Sequence, residues 1–399
     1  MSQPMSRRQV AAVVGLMIAV RAAVLIGMIS LLPEGPNAFN RVSYDAARYH
    51  RIAGTPGTPY RDFPVEVPPV ELGAIEVLDG ATPRATAARL GWAMLALDLL
   101  IAAVLWTAWG RHAGLAYLAL GTPLVFLIYF RLDLISVALA TVAVSLAHRK
   151  RERWAGLVLA ASVLTKVWPV VVLPLWLVRR RWRALAWSVA GLAVGTAAWV
   201  WWSGWSGPIQ VATFRHARGW HVQSVVGNVV DILSRAPAVI EQGADRVGSA
   251  PPWAKGLLLA GLVICSSVIW IRASRHPRNA AGLGGLSAVA ALLAFSPLLS
   301  EQYVFWLFPW AAVAATERGW NVMLPTFLVS MATAAMGLVP GLFPSGPDAV
   351  IEPALVLVRN ALLVAVLVDG VRRLQRNDLG AEPELRVAGS QDVALGVRP

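Results

Sequence analysis

The acids, bases and hydrogen-bond donors of this chain gather in three places. The first is Tyr44-Asp45-Ala46-Ala47-Arg48-Tyr49-His50-Arg51, followed by the stretch from Gly57 to Pro69 that carries Tyr60, Asp62 and Glu66. On a helix Asp45, Arg48 and Tyr49 share a face, because residues three and four apart are neighbours. A carboxylate on such a face can act as a general base when an acceptor hydroxyl comes within hydrogen-bond reach. It can equally be half of an Asp–Arg pair in a solvated loop. The second place is Lys166, within Leu164-Thr165-Lys166-Val167-Trp168-Pro169. The third is Phe214-Arg215-His216-Ala217-Arg218-Gly219-Trp220-His221, running on to Gln223-Ser224. Two His and two Arg so close together suit a phosphate or sugar, or the headgroups beneath an interfacial helix. His216 and His221 are five apart, a poor spacing for two metal ligands on one helical face. With a single cysteine, Cys265, a thiolate metal site and an intrachain disulfide are both excluded. No metal and no cofactor is expected.

The elements that position these residues follow from composition. The chain is 57% apolar and 14% charged, with mean hydropathy +0.60. Soluble domains are roughly 45–50% apolar and about 25% charged. A soluble fold this apolar would expose large sticky patches, which a bilayer removes. The net charge is +13, from 35 Lys+Arg against 22 Asp+Glu. The basic residues sit in short clusters between apolar runs, the pattern of membrane topology rather than of nucleic-acid binding. The 18 Trp fall largely at the ends of apolar runs, as an interfacial belt requires.

A helix crosses the hydrocarbon in about 20 residues. The expected spans are Ala11–Leu32, Ala88–Ala108, Ala113–Phe130, Leu134–Ala147, Ala184–Trp202, Ala254–Ile271, Ala280–Phe295, Gln302–Ala315, Val322–Leu342 and Ala354–Val368. The fold class is therefore an all-α polytopic membrane protein, a bundle of about ten full spans. Basic clusters at Arg149–Arg153 and Arg179–Arg183 flank one apolar segment, Ala155–Val178. A single crossing there would place one cluster outside and invert every later segment. A helical hairpin that enters and leaves from the inside avoids this. Pro169 breaks its ladder midway. Lys166, which would cost ~2.5–3.5 kcal/mol at a bilayer centre, sits at its tip. Each arm of about 11 residues spans about 16 Å, so the tip should reach mid-membrane or slightly beyond.

With that hairpin both termini are cytoplasmic. The loops 33–87 and 203–253 face outside, with short turns at Arg131–Asp133 and Pro297–Glu301 and a loop at Phe343–Pro353. Residues 1–374 form the membrane domain, and 375–399 a polar, disordered cytoplasmic tail. Of the charges a bilayer should reject, Arg21 and Asp98 can pair internally. Lys166 has no opposite charge nearby in sequence, and an anionic ligand would supply one.

Five stretches now resemble, in order, one family. They are Tyr60-Arg61-Asp62-Phe63 through Glu66-Val67-Pro68-Pro69; Arg131-x-Asp133; Leu164-Thr165-Lys166 through Pro169 with Leu173-Pro174; Arg218-Gly219 with Gln223-Ser224; and Phe295-Ser296-Pro297 with Gln302-Tyr303 and Trp306. This series is similar to that of the polyprenyl-phosphate-mannose-dependent mannosyltransferases, glycosyltransferase family 87 of the GT-C superfamily. Val67 stands where that family's stretch usually has tyrosine.

The resemblance implies transfer of a sugar, mannose first, from a polyprenyl-phosphate-sugar to a glycolipid or lipid-linked envelope glycan at the outer face of a membrane. It places the catalytic acid in the first outer loop, so Asp45 is the expected base. It assigns the leaving phosphate to Lys166, with His216, Arg218 or His221 assisting. Arg131, Asp133, Tyr60, Asp62, Glu66, Gln302 and Tyr303 complete the expected substrate contacts. The Ala/Arg/Val-rich composition suggests a bacterial plasma membrane. A lipid-linked glycan transporter is the competing reading. Such proteins often carry matched broken helices in two repeats, and the sequence offers one broken helix without a counterpart.

Overall fold

The computed structural model describes residues 6–32, 44–213, 217–234, 237–241, 243–342 and 348–376. Helix α1 (Arg7–Ser30) begins at a capping box, in which Ser6 Oγ accepts from the Gln9 amide and Gln9 Oε1 from the Ser6 amide. Two short helices follow, α2 (Tyr44–Gly54) and α3 (Pro69–Leu78). Then come α4 (Pro83–Trp109), α5 (Arg111–Gly121), α6 (Val125–Ile128) and α7 (Asp133–His148). After them run α8 (Glu152–Thr165), α9 (Pro174–Val178), α10 (Trp182–Ser203) and α11 (Ser206–Ala212). The next segment holds β1 (Trp220–His221), α12 (Val225–Ser234), β2 (Val239–Glu241) and β3 (Ala244–Val247). The chain closes with α13 (Pro252–Arg275), α14 (Gly285–Phe295), α15 (Phe308–Arg318), α16 (Leu324–Leu342) and α17 (Asp348–Arg376).

Every expected span falls on helix, and the protein is an all-α polytopic membrane protein. Seven segments of described helix are long and apolar enough to cross a bilayer; α7, α16 and the Trp168–Val178 stretch are shorter. Three details differ from expectation. The two long loops are structured, the first by α2 and α3 and the second by an antiparallel sheet in the order β1-β3-β2. The span expected at Gln302–Ala315 opens as a 3-10 stretch, Glu301–Leu307. Helix α17 starts at Asp348 and carries Pro353 inside it as its sixth residue, where the missing amide leaves one bond of the ladder unmade. Residues 343–347, in the expected last outer loop, lie outside the described residues, as does the expected tail beyond Arg376.

The hairpin is present. Helix α8 ends at Thr165 with Lys166 in extended backbone, and the chain returns through a 3-10 turn, Trp168–Val172, and α9. Arg181, after the return arm, meets Glu152, before the outgoing one, at 2.7 Å. The two ends of the segment therefore lie together. Arg149 and Arg153 share that end with Arg179, which donates to the carbonyls of Pro277 and Arg278 at 3.0 Å each. At the tip Lys166 meets Asp133, the first residue of α7, at 3.0 Å. Helix α7 is 16 residues long, about 24 Å at 1.5 Å per residue, so the tip reaches the far end of α7 rather than mid-membrane. The outgoing arm of 14 residues gives about 21 Å. The return arm covers a similar depth in fewer residues because a 3-10 turn rises about 2.0 Å per residue.

Close packing holds the outgoing arm against α10. A Cβ on Gly156 would lie 2.4 Å from the Ala184 carbonyl oxygen, and one on Gly195 2.3 Å from Leu164 Cδ1. Without a hydrophobic drive between helices, this approach of small residues supplies the contact. Elsewhere the two unwelcome charges satisfy one another. Arg21 Nε donates to Asp98 Oδ2 at 2.9 Å, both residues fully buried. Tyr117 and Tyr129 donate to the same carboxylate at 2.7 and 2.9 Å, and Arg21 Nη2 donates to the Leu118 carbonyl at 2.7 Å. Asp98 thus ties α1, α4, α5 and the turn after α6 together.

Two outcomes follow. Arg21→Leu leaves a buried carboxylate unpaired and should lower stability by roughly 3–5 kcal/mol. The double variant Arg21→Leu/Asp98→Leu should recover much of that in thermal unfolding, and equal losses would sink the pairing argument. Single cysteines at 153 and 181 should react with a membrane-impermeant reagent from the same side of sealed vesicles; labelling from opposite sides would remove the hairpin.

Candidate functional site

A cavity of about 480 Å³ opens at the end of the bundle opposite the basic clusters. Helix α7 fixes that opposition, since its first residue Asp133 lines the cavity while its last, His148, feels Arg179, Arg149 and Arg181. The cavity is built by α2, the Glu66–Pro68 stretch, α3, the hairpin tip, α11, β1, β3 and the chain from Leu292 to Trp306.

The helical face proposed for the first loop is real, and Asp45, Arg48 and Tyr49 all line the cavity. The turn before α7 supplies Arg131, whose Nη1 donates to Asp45 Oδ2 at 2.5 Å. Arg48 pairs with Glu66. Lys166 is not without partners among the protein's own charges: its ammonium lies 3.0 Å from Asp133 Oδ2 and 3.5 Å from Glu71 Oε1, and 5.8 Å from the centre of the Tyr303 ring. The expectation that a ligand must supply its counter-charge is corrected. The partners lie 33 and 95 residues away in sequence, where spacing cannot show them. An aromatic stack backs the cluster. Trp168 and Trp306 lie parallel at 5.0 Å, Tyr303 and Trp306 at 4.2 Å, and the Trp306 indole donates to Asp133 Oδ1 at 3.1 Å.

Of the expected contacts, Asp45, Glu66, Arg131, Asp133, Lys166, His221, Gln302 and Tyr303 all line this cavity. Three others do not. Tyr60 has φ +68° and donates its hydroxyl to the Val67 carbonyl at 2.6 Å, folding the Glu66–Pro68 stretch into place. That bond uses only the backbone of residue 67, and Val67 itself lines the cavity. Asp62 closes the same turn by accepting from the Thr58 amide at 2.5 Å. Arg218 is exposed, and it works through its backbone: its amide and that of Gly219 donate to the two Glu241 carboxylate oxygens at 2.8 Å each. His216 lies outside the described residues. His221 is buried, and burial together with Arg246 and Arg359 pulls its pKa down to about 3. Its neutral form is the favoured one there.

Sequence reasoning missed Glu71. It is 1% exposed, lines the cavity and approaches Lys166. Its signal was legible: on α3 it falls on the apolar face with Leu72 and Ile75, while Glu76 takes the exposed one. A carboxylate on an apolar face is either paired or functional. Burial, reinforced by Asp133 and opposed by Lys166 and Arg48, pushes its pKa up to about 7.

Residues 80–297, more than half of the chain, match the model of glycosyltransferase family 87. The chain belongs to that family. It is accordingly a multi-pass membrane glycosyltransferase, with a sugar donor and an acceptor as its substrates. The matched region carries Arg131, Asp133, Lys166 and His221, while Asp45 and Gln302 lie on either side of it. No curated protein matches the chain.

Lys166→Met should leave Asp133 and Glu71 facing each other without a cation. Stability should fall by roughly 3–5 kcal/mol and sugar transfer should be lost. Adding Asp133→Asn should restore folding but not transfer; restored transfer would mean that the ammonium serves the fold alone.

Proposed function

We propose that this glycosyltransferase moves a hexose, mannose first, from a polyprenyl-phosphate-sugar to a glycolipid or lipid-linked envelope glycan. The reaction runs at the outer face of a bacterial plasma membrane, with both termini cytoplasmic. The observation that carries the reading is that Asp45 and Lys166, 121 positions apart, line one cavity at the end of the bundle away from the basic clusters. Basic clusters mark the cytoplasmic side of a membrane protein. A cavity at the other end is open to donors whose sugar is carried outside on a lipid.

In the proposed step the acceptor hydroxyl attacks the anomeric carbon as Asp45 takes its proton. The bond from that carbon to the phosphate oxygen breaks with its electron pair, and polyprenyl phosphate leaves. The configuration inverts. Arg131 holds one Asp45 oxygen, which aims the other. The departing phosphate gains charge, and cationic donors fixed in a low-dielectric cavity stabilise it far better than water would. Lys166, Arg131, Arg48 and Arg246 are the cations on the cavity wall. Gln302 and the Trp306–Tyr303 stack offer the hydrogen-bonding and apolar faces that a sugar ring presents. Contacts to Asp133 and Glu71 hold Lys166 in place on that wall.

Asp45→Asn keeps the acceptor oxygen that Arg131 needs and removes the base. Transfer from radiolabelled polyprenyl-phosphate-mannose should drop by about 10²–10⁴-fold, the usual worth of general-base catalysis, with unchanged thermal unfolding. Turnover at the wild-type rate would remove Asp45 from the mechanism.

A further inference from the structure

The transfer chemistry leaves Glu71 without a task. Its carboxyl group is buried against the cavity, with Oε1 3.5 Å from Lys166 and no partner for Oε2 among the described residues. An ionised oxygen in that position forfeits hydration and gains nothing in return. Two carboxylates about one ammonium also leave a net charge of −1 at the point where an anionic leaving group must sit. One proton would settle both difficulties, and the geometry says where it belongs. Asp133 has a donor on each oxygen, Lys166 at 3.0 Å and Trp306 at 3.1 Å. Glu71 has one, and that one is more distant.

We propose that Glu71 faces the cavity as a neutral carboxylic acid and that its Oε2–H donates, beside the Lys166 ammonium, a hydrogen bond to the phosphate of the donor lipid. The proposal rests on the polyprenyl-phosphate reading above and extends it. An acid proton and an ammonium side by side offer donors to two phosphate oxygens, and donors to an anion are the strong ones. A buried carboxylic acid held neutral so that it can donate is a known device of polar active sites. The charged and titratable groups that bear on Glu71 are Lys166 from the hairpin, Asp133 from α7, Arg48 and Tyr49 from α2, Tyr60 from the chain between α2 and α3, and Tyr303 from the 3-10 stretch before α15. All three tyrosines are raised by burial and stay neutral through the physiological range. Glu71, pushed up to about 7, is the group in this set that changes state there.

The test uses the full-length protein in detergent and a short-chain polyprenyl phosphodiester of mannose, which carries one negative charge from pH 5.5 to 8.5. Wild-type affinity should be constant below pH 7 and weaken by about tenfold per pH unit above it, as linkage to one proton requires. Glu71→Gln, which supplies a neutral donor of the same shape, should bind as tightly as wild type at pH 6 and show no pH dependence. Glu71→Ala should bind at least about tenfold more weakly at pH 6, the worth of one hydrogen bond to a charged group. A flat wild-type profile, or an unaltered one in Glu71→Gln, would overturn the assignment while leaving the donor reading intact. No binding by wild type at any pH would overturn both. Thermal unfolding checks the protonation without ligand. A carboxyl whose folded pKa is raised stabilises fully below its unfolded value, near 4.5, and that contribution is lost as pH rises towards 7. Wild type should lose stability across that window relative to Glu71→Gln, and parallel curves would show that Glu71 is ionised throughout.

Discussion

One ammonium at the end of a broken helix organises this protein. Lys166 sits where α8 stops, held by Asp133 and Glu71, and three otherwise separate pieces of chain converge on it. Helix α7 brings Asp133, the first loop brings Glu71, and the stretch before α15 brings the aromatic stack. A lysine cannot end a buried hairpin unless the surrounding chain supplies charge. Nor can Asp133 and Glu71 be buried side by side there without a cation between them. Each requirement is met by the other, so the hairpin, α7 and α3 must assemble together. The cavity is what remains between them.

The same economy runs along the hairpin. Its base is closed by Arg181 and Glu152 and its first arm is pressed on α10 through Gly156, Gly191 and Gly195. These contacts set how far the tip reaches. A helix rises a fixed distance per residue, so the position of Lys166 along the bundle is decided at the opposite end, about 21 Å away. The first loop is held in a comparable way. Tyr60, in a left-handed backbone conformation, ties its hydroxyl to the Val67 carbonyl, and Gln210 of α11 accepts the Val65 amide and donates to the Tyr60 carbonyl. Glu66 and Glu71 are delivered to the cavity by a turn whose bracing side chains, Tyr60 and Gln210, do not line it.

This explains what the sequence could and could not show. Hydropathy located every span, and the placing of basic residues on both sides of one apolar run revealed the hairpin. Both signals are local and periodic. Asp45, Arg48 and Tyr49 were legible as one face because helical spacing is local too. The partners of Lys166 were hidden because they are 33 and 95 residues away. Tyr60, Asp62 and Arg218 fall in the motif stretches, and a motif marks a residue without saying what it does. They shape the loops that carry the contacts. The three-stranded sheet escaped notice because its strands are two to four residues long, too short for alternation to register.

The placement of charge around the cavity also separates two roles that one carboxylate could not combine. Asp45 is held by an arginine, whose charge never leaves it, so its carboxylate keeps a fixed cationic partner while it works as a base. Glu71 shares a lysine with a better-placed competitor, Asp133, and is the group for which ionisation is costly. Pairs of acids whose surroundings differ in this way divide acid and base functions between them. The division here follows from distance and donor count alone: two donors for Asp133, a guanidinium for Asp45 and one long contact for Glu71. A leaving phosphate entering that arrangement meets a proton and an ammonium on one side, while the attacking hydroxyl meets a proton acceptor on the other. Proton and charge then move in the direction that transfer requires.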